Sequence, residues 1–254
     1  MPAVTLVSVV QTCDRLLRRS AFQDWDGAVN GLQVENRGRV SRLAAAVDAS
    51  LGTVQLAIEA GADLLLVHHG LFWTRRIPWT GVNYRLLRLL LDHNLAVYSA
   101  HLPLDAHPRF GNNALLARAL GLRHTQAFFE SKGALIGRLA RTRLPRTELV
   151  DRLRAAVDGG PVTLLPFGPS VCRRIGICSG GAGAELAQAA AAGVDTFITG
   201  EGPHWTFALT QELGVNVLYA GHYATETFGV RALGAHLSRR FSLPLTLIDQ
   251  PSGL

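Results

Sequence analysis

His68 and His69 are adjacent and close the uninterrupted apolar run Leu64 to Val67. Two imidazoles placed there without partners would leave buried polar groups unsatisfied, which costs free energy, so the pair points to a bound ligand. Further along, His101 and His222 each follow a short apolar run, and a carboxylate comes four residues after each, Asp105 and Glu226. His68, His69, Asp105, His222 and Glu226 make a mixed nitrogen and oxygen donor set suited to divalent Zn, Mn or Fe. No cysteine belongs to the set, unlike a structural zinc site. Adjacent side chains diverge on an extended strand, so His68 and His69 are expected on the tight turn into Gly70, where both can face one cavity. Adjacency fits two ions better than one. A helix starting after Gly221 would put His222 and Glu226 one turn apart on the same face, and the two oxygens of Glu226 could bridge both ions.

Other positions carry competing readings. His101 can ligate, hydrogen-bond a ligating carboxylate, or relay a proton. Asp105, in the segment Leu102 to Pro108, has capping of the following turn as its structural alternative. His124 and His236 read as structural histidines. Gly180-Gly-Ala-Gly183 before an Ala-rich stretch could cradle a phosphate at a helix N-terminus, although close packing accounts for the glycines equally well. Asn30 and Asp48 lie in segments expected near the site.

The elements that must present these groups alternate between strand and helix. Helical spacing runs from Thr5 to Leu17, from Thr53 to Glu59, from Tyr84 to Asn94 and from Glu148 to Val157. Strand patterns cover Leu43 to Val47, Asp63 to Gly70, Ala96 to Ala100 and Ala134 to Leu139. This predicts an α/β layered sandwich with mixed or parallel sheets, its ligand site beyond the carboxyl ends of the strands. Ala60-Gly-Ala-Asp63 before one strand matches Ala192-Gly-Val-Asp195 before another, and Tyr98-x-x-His101 matches Tyr219-x-x-His222. Residues 1–254 are therefore read as one metal-binding unit containing two half-repeats, about 1–126 and 127–254. The halves would be pseudo-symmetric around a dinuclear metal site.

The formal net charge is +6, but the arginines are spread singly or in pairs and Lys132 is the only lysine. A dedicated nucleic-acid surface is not expected from that pattern. Cys13, Cys172 and Cys178 are scattered and odd in number, which fits a reducing cytoplasm rather than a disulfide framework. No apolar run approaches the roughly 20 residues of a membrane span.

Taken together, His68-His69-Gly70-Leu-Phe-Trp73, His101-Leu-Pro-Leu-Asp105-Ala-His-Pro108, Gly111-Asn-Asn113, Asn30-Gly-Leu-Gln33 and Gly221-His222-x-Ala-Thr-Glu226 resemble the NIF-three-like family, the GTP cyclohydrolase 1 type 2 homologs. The resemblance runs from about Asn30 to Arg231 and is nearest to short bacterial members. It implies two divalent metal ions per subunit on His68, His69, Asp105, His222 and Glu226, with Glu226 serving both, and a toroidal homohexamer. The segment Gly200-Glu-Gly-Pro-His204-Trp departs from the family pattern, so Glu201 and His204 are expected only to line the site. The expected function is a metal-dependent hydrolase acting through a metal-activated water on a small molecule such as a nucleotide, with His101 or His204 as general acid/base. A metal-delivery protein without turnover and a nucleic-acid-associated regulator are the alternatives.

Overall fold

The computed structural model describes residues 3–73 and 78–253. In chain order the elements are β1 (Val4–Thr5), α1 (Leu6–Leu16), β2 (Gly31–Val34), β3 (Arg39–Val40), β4 (Leu43–Asp48), α2 (Leu51–Glu59), β5 (Leu64–His69), α3 (Gly81–Asp92), β6 (Ala96–Ser99) and α4 (Leu102–Asp105). They continue with α5 (Asn112–Ala119), β7 (Gln126–Ser131), β8 (Ala134–Pro145), α6 (Arg146–Ala156), β9 (Thr163–Pro166), β10 (Val171–Ile177), α7 (Leu186–Ala191), β11 (Thr196–Thr199), α8 (Thr206–Leu213), β12 (Asn216–Tyr219), α9 (His222–Phe241) and β13 (Leu245–Leu247). Among the described residues no helix is long and apolar enough to cross a membrane.

The chain forms two compact units, one of Met1–Leu104 with Gly229–Gln250, the other of Asp105–Phe228 with Pro251–Leu254. They do not follow a division near residue 126. The first returns to collect most of α9 and β13, because β13 pairs in parallel with β4 and completes that sheet's edge.

The first unit holds a five-stranded sheet, β13-β4-β5-β6-β2, parallel except for β2. Ala44, Ala46, Leu65, Val67 and Val97 pack against Val54 and Ala57 of α2 and Leu90 of α3. On the other face Gly234 of α9 lies against Ala45 and Leu245, where a Cβ would come within 3.3 Å of the Ala45 methyl. Helices on both faces explain why β4, β5 and β6 read as continuous rather than alternating apolar runs. Helix α2 starts two residues earlier than its apolar pattern, because Ser50 and Thr53 form a reciprocal capping box.

The second unit holds a six-stranded sheet, β7-β8-β10-β11-β12-β9. Its core joins Ala140, Ile175, Ile177, Ile198 and Leu218 to Leu116 and Leu120 near α5 and Leu149 and Leu153 of α6.

Both sheets contain three parallel strands followed by an antiparallel neighbour, β4-β5-β6-β2 and β10-β11-β12-β9. Each carries the same clasp at the start of its second parallel strand. Asp63 Oδ2 accepts the backbone N–H groups of Ser41 and Arg42, and Asp195 Oδ2 accepts those of Arg173 and Arg174. The Tyr-x-x-His similarity falls one residue out of this register. Leu66 pairs with Tyr98 where Ile198 pairs with Leu218, so Tyr219 corresponds to Ser99 and points to the opposite face. The buried Tyr98 hydroxyl donates to Asp14, while the Tyr219 hydroxyl shares a bond with Thr206. The position that corresponds to His101 is Gly221, not His222.

Candidate metal centre

In the first unit the carboxyl ends of β5 and β6 bring His68, His69 and His101 together, with one ring nitrogen from each within 4.8 Å of the others. Contrary to the expected turn, His68 and His69 are the last residues of β5 itself. Their rings nevertheless lie 4.8 Å apart, and that of His101 lies 5.0 Å from His68. Trp73 closes one side, its ring edge-on to His69 at 5.1 Å and to His101 at 4.9 Å.

Each of these rings is held from behind through Nδ1. His68 Nδ1 bonds the Ala100 carbonyl oxygen at 2.8 Å, His69 Nδ1 bonds Asp48 Oδ1 at 2.7 Å, and His101 Nδ1 bonds Asp24 Oδ1 at 2.8 Å. Carbonyl and carboxylate oxygens only accept, so Nδ1 carries the hydrogen, and in the neutral ring the lone pair is then on Nε2. That is the backing arrangement of metal-binding histidines, where an outer partner fixes tautomer and orientation. Asn30 and Asp48 thus both act here, Asn30 by accepting the backbone N–H of His101 through Oδ1 at 2.7 Å. Asp24 escaped the sequence reading, since it lies 77 residues from His101 and nothing local separates it from Asp26. Burial opposes the charge on Asp24, but hydrogen bonds from His101 and Asn30 prevail and hold its carboxyl below the usual carboxylate range.

In the second unit His222 opens α9 and Glu226 follows one helical turn later, His222 Nε2 lying 3.2 Å from Glu226 Oε2. Glu201, at the turn after β11, accepts from His222 Nδ1 at 2.8 Å. Burial works against a charged His222 ring, yet Glu226 and Glu201 on its two sides outweigh it and push its pKa up to about 9. Gly180 and Gly181, at the start of the Gly180 to Gly183 loop, lie against this pair. Gly180 has φ +70°, a Cβ on it would overlap the Glu226 carboxylate, and His222 Nε2 would be 3.2 Å away. Its backbone N–H donates to Thr225 Oγ1 of the same helical turn at 3.0 Å.

Asp105, the last residue of α4, is buried and accepts from Asn112 Nδ2 at 2.8 Å. His204 is exposed at the turn before α8, outside the histidine and carboxylate clusters found among the described residues.

The profile of the family described as Duf34/NIF3 (NGG1p interacting factor 3) matches residues 4–252. The chain belongs to the Duf34/NIF3 family. A relative from Deinococcus radiodurans named GTP cyclohydrolase 1 type 2 homolog is 45% identical over 97% of this chain and 93% of its own length. Among solved structures, TTHA1606 from Thermus thermophilus shares 39% identity with a TM-score of 0.87, covering 99% of this chain and 100% of that one. Protein ybgI, described as of unknown function, shares 34% identity with a TM-score of 0.91 over 99% and 100%. The α/β architecture with mixed sheets is therefore that of the Duf34/NIF3 family, and its histidine and glutamate groups are of a kind that can hold metal.

Proposed function

We propose that this chain is a metal-dependent hydrolase in which His68, His69, Asp105, His222 and Glu226 hold two divalent ions. The observation that carries this reading is the common Nδ1 anchoring of His68, His69 and His222 to Ala100, Asp48 and Glu201, the outer-partner backing that metal-binding histidines carry. The nitrogen and carboxylate set fits Zn, Mn or Fe. When bound, such ions lower the pKa of a coordinated water toward neutrality and polarise a substrate oxygen. The chain's own residues then orient the reactants. Trp73 walls one side of the histidines, and His101, grouped with His68 and His69 at the strand ends, takes up the proton released on attack. The name borne by the relatives makes nucleotides the first substrates to try.

The test is metal analysis of freshly purified protein with a nucleotide and phosphoester screen in Zn, Mn and Fe. Two equivalents of metal and turnover that His69→Ala abolishes are expected. Activity that survives removal of all five ligands would overturn the assignment, and tight metal binding without turnover of any compound would reduce it to metal storage or delivery.

A further inference from the structure

The carboxylates behind the histidines differ in one respect. Asp48 behind His69 and Glu201 behind His222 have side chains 45% and 50% exposed, whereas Asp24 behind His101 is only 4% exposed. Asp24 is also surrounded by donors. Its Oδ1 accepts from the Trp25 backbone N–H at 2.7 Å and from His101 Nδ1 at 2.8 Å, and its Oδ2 accepts from Asn30 Nδ2 at 2.7 Å and the Leu102 backbone N–H at 3.3 Å. Asn30 is not free to reverse its amide, because its Oδ1 already accepts the backbone N–H of His101. An amide in place of the Asp24 carboxylate would therefore turn an NH₂ group against donors on one side or the other. Asn30 is itself steadied by the chain around it, since the Arg19 guanidinium bonds its carbonyl oxygen and is paired with Asp14.

We propose that Asp24, clamped by Asn30, is the positioning residue for His101: it keeps the hydrogen on Nδ1 and presents the Nε2 lone pair to the nitrogen cluster of His68 and His69. The purpose of this arrangement rests on the metal reading above, while the arrangement itself does not. With the ring pinned on its Nδ1 side by a buried carboxylate and flanked by Trp73, His101 has one nitrogen and one direction with which to meet a substrate or a proton. The logic is that of an imidazole held in its working tautomer by a buried acid, where an amide substitution keeps the shape but reverses the tautomer.

The decisive measurement is long-range ¹H–¹⁵N NMR of the imidazoles in metal-free protein. In the wild type His101 should show hydrogen on Nδ1. In Asp24→Asn it should move wholly or partly to Nε2, while His68 and His69, which have other anchors, keep theirs. An unchanged His101 tautomer in Asp24→Asn would overturn the proposal. Should that variant not fold, the wild type alone decides, because hydrogen on Nε2 of His101 there is equally fatal; Asn30→Ala, which retains the carboxylate, should keep the Nδ1 form. A zinc titration of the wild type separates the two ideas. No zinc uptake would retire the metal reading and leave the tautomer result standing.

Discussion

At the scale of single residues, the histidines are distinguished by what stands behind them. If the Nδ1 partners set the donors, Asp48→Ala should leave the fold intact but weaken metal binding about 10- to 100-fold, the usual cost of losing an outer partner, whereas His69→Ala should remove an ion; calorimetric titration with zinc separates the cases. His222 gives a pH prediction for the metal-free protein. Its folded pKa of about 9 lies above the ordinary 6.5, so the stability it contributes is fully present below pH 6.5 and lost as pH rises through about 9. A metal requires the neutral ring, so affinity should climb over that same window with proton release. Metal binding by wild type and Glu201→Gln across pH 6 to 9.5 checks this, and a flat profile in the wild type would contradict it.

At the scale of elements, the loop after β10 is shaped by the absence of a side chain. Gly180→Ala adds left-handed strain of roughly 1–2 kcal/mol and also drives a methyl into the Glu226 carboxylate. Gly214, with φ +63° at the end of α8 and open space around it, is the control. Gly214→Ala should show the strain alone in urea unfolding, while Gly180→Ala should exceed it and lose metal affinity as well. The strands that carry the histidines were legible because burial on both faces writes a continuous apolar run, as in Leu64 to Val67. Strand β10 was not, since Arg173 and Arg174 interrupt it and are tied to the Asp195 clasp and the end of α7 rather than buried. The edge strand β9 likewise lacks a full apolar signature, its residues being only partly buried or exposed. Of the site, residue types sufficed for the histidines, but the Asp24 to His101 bond depends on a loop folding back across 77 residues, which no local spacing records.

At the scale of the whole molecule, two cores stand in two units, and each should respond to its own cavity. Leu65→Ala in the first and Leu218→Ala in the second, both fully buried, should each cost about 2–5 kcal/mol, measured by denaturant unfolding. If the proposed ions are bound, holding metal at a hundred times its Kd should add about 2.7 kcal/mol. A chelator should then lower the melting temperature of the wild type and leave that of the variant lacking all five ligands unmoved. The sequence repeat led to the paired strand patterns, while the similarity between Tyr98 and Tyr219 disguised a one-residue offset and gave no sign that the C-terminal segment goes back to the first sheet.

The aspartate clasp has a consequence for the two proposed ligands at the far end of β5. Sliding β5 by a single residue against β4 would exchange the sides on which His68 and His69 emerge. Asp63, bonded to Ser41 and Arg42 at the start of the strand, blocks that slip. At about 3.3 Å per residue it does so from roughly 20 Å away. How accurately the imidazoles are aimed is thus decided at the opposite rim of the sheet, by a side chain that touches neither of them.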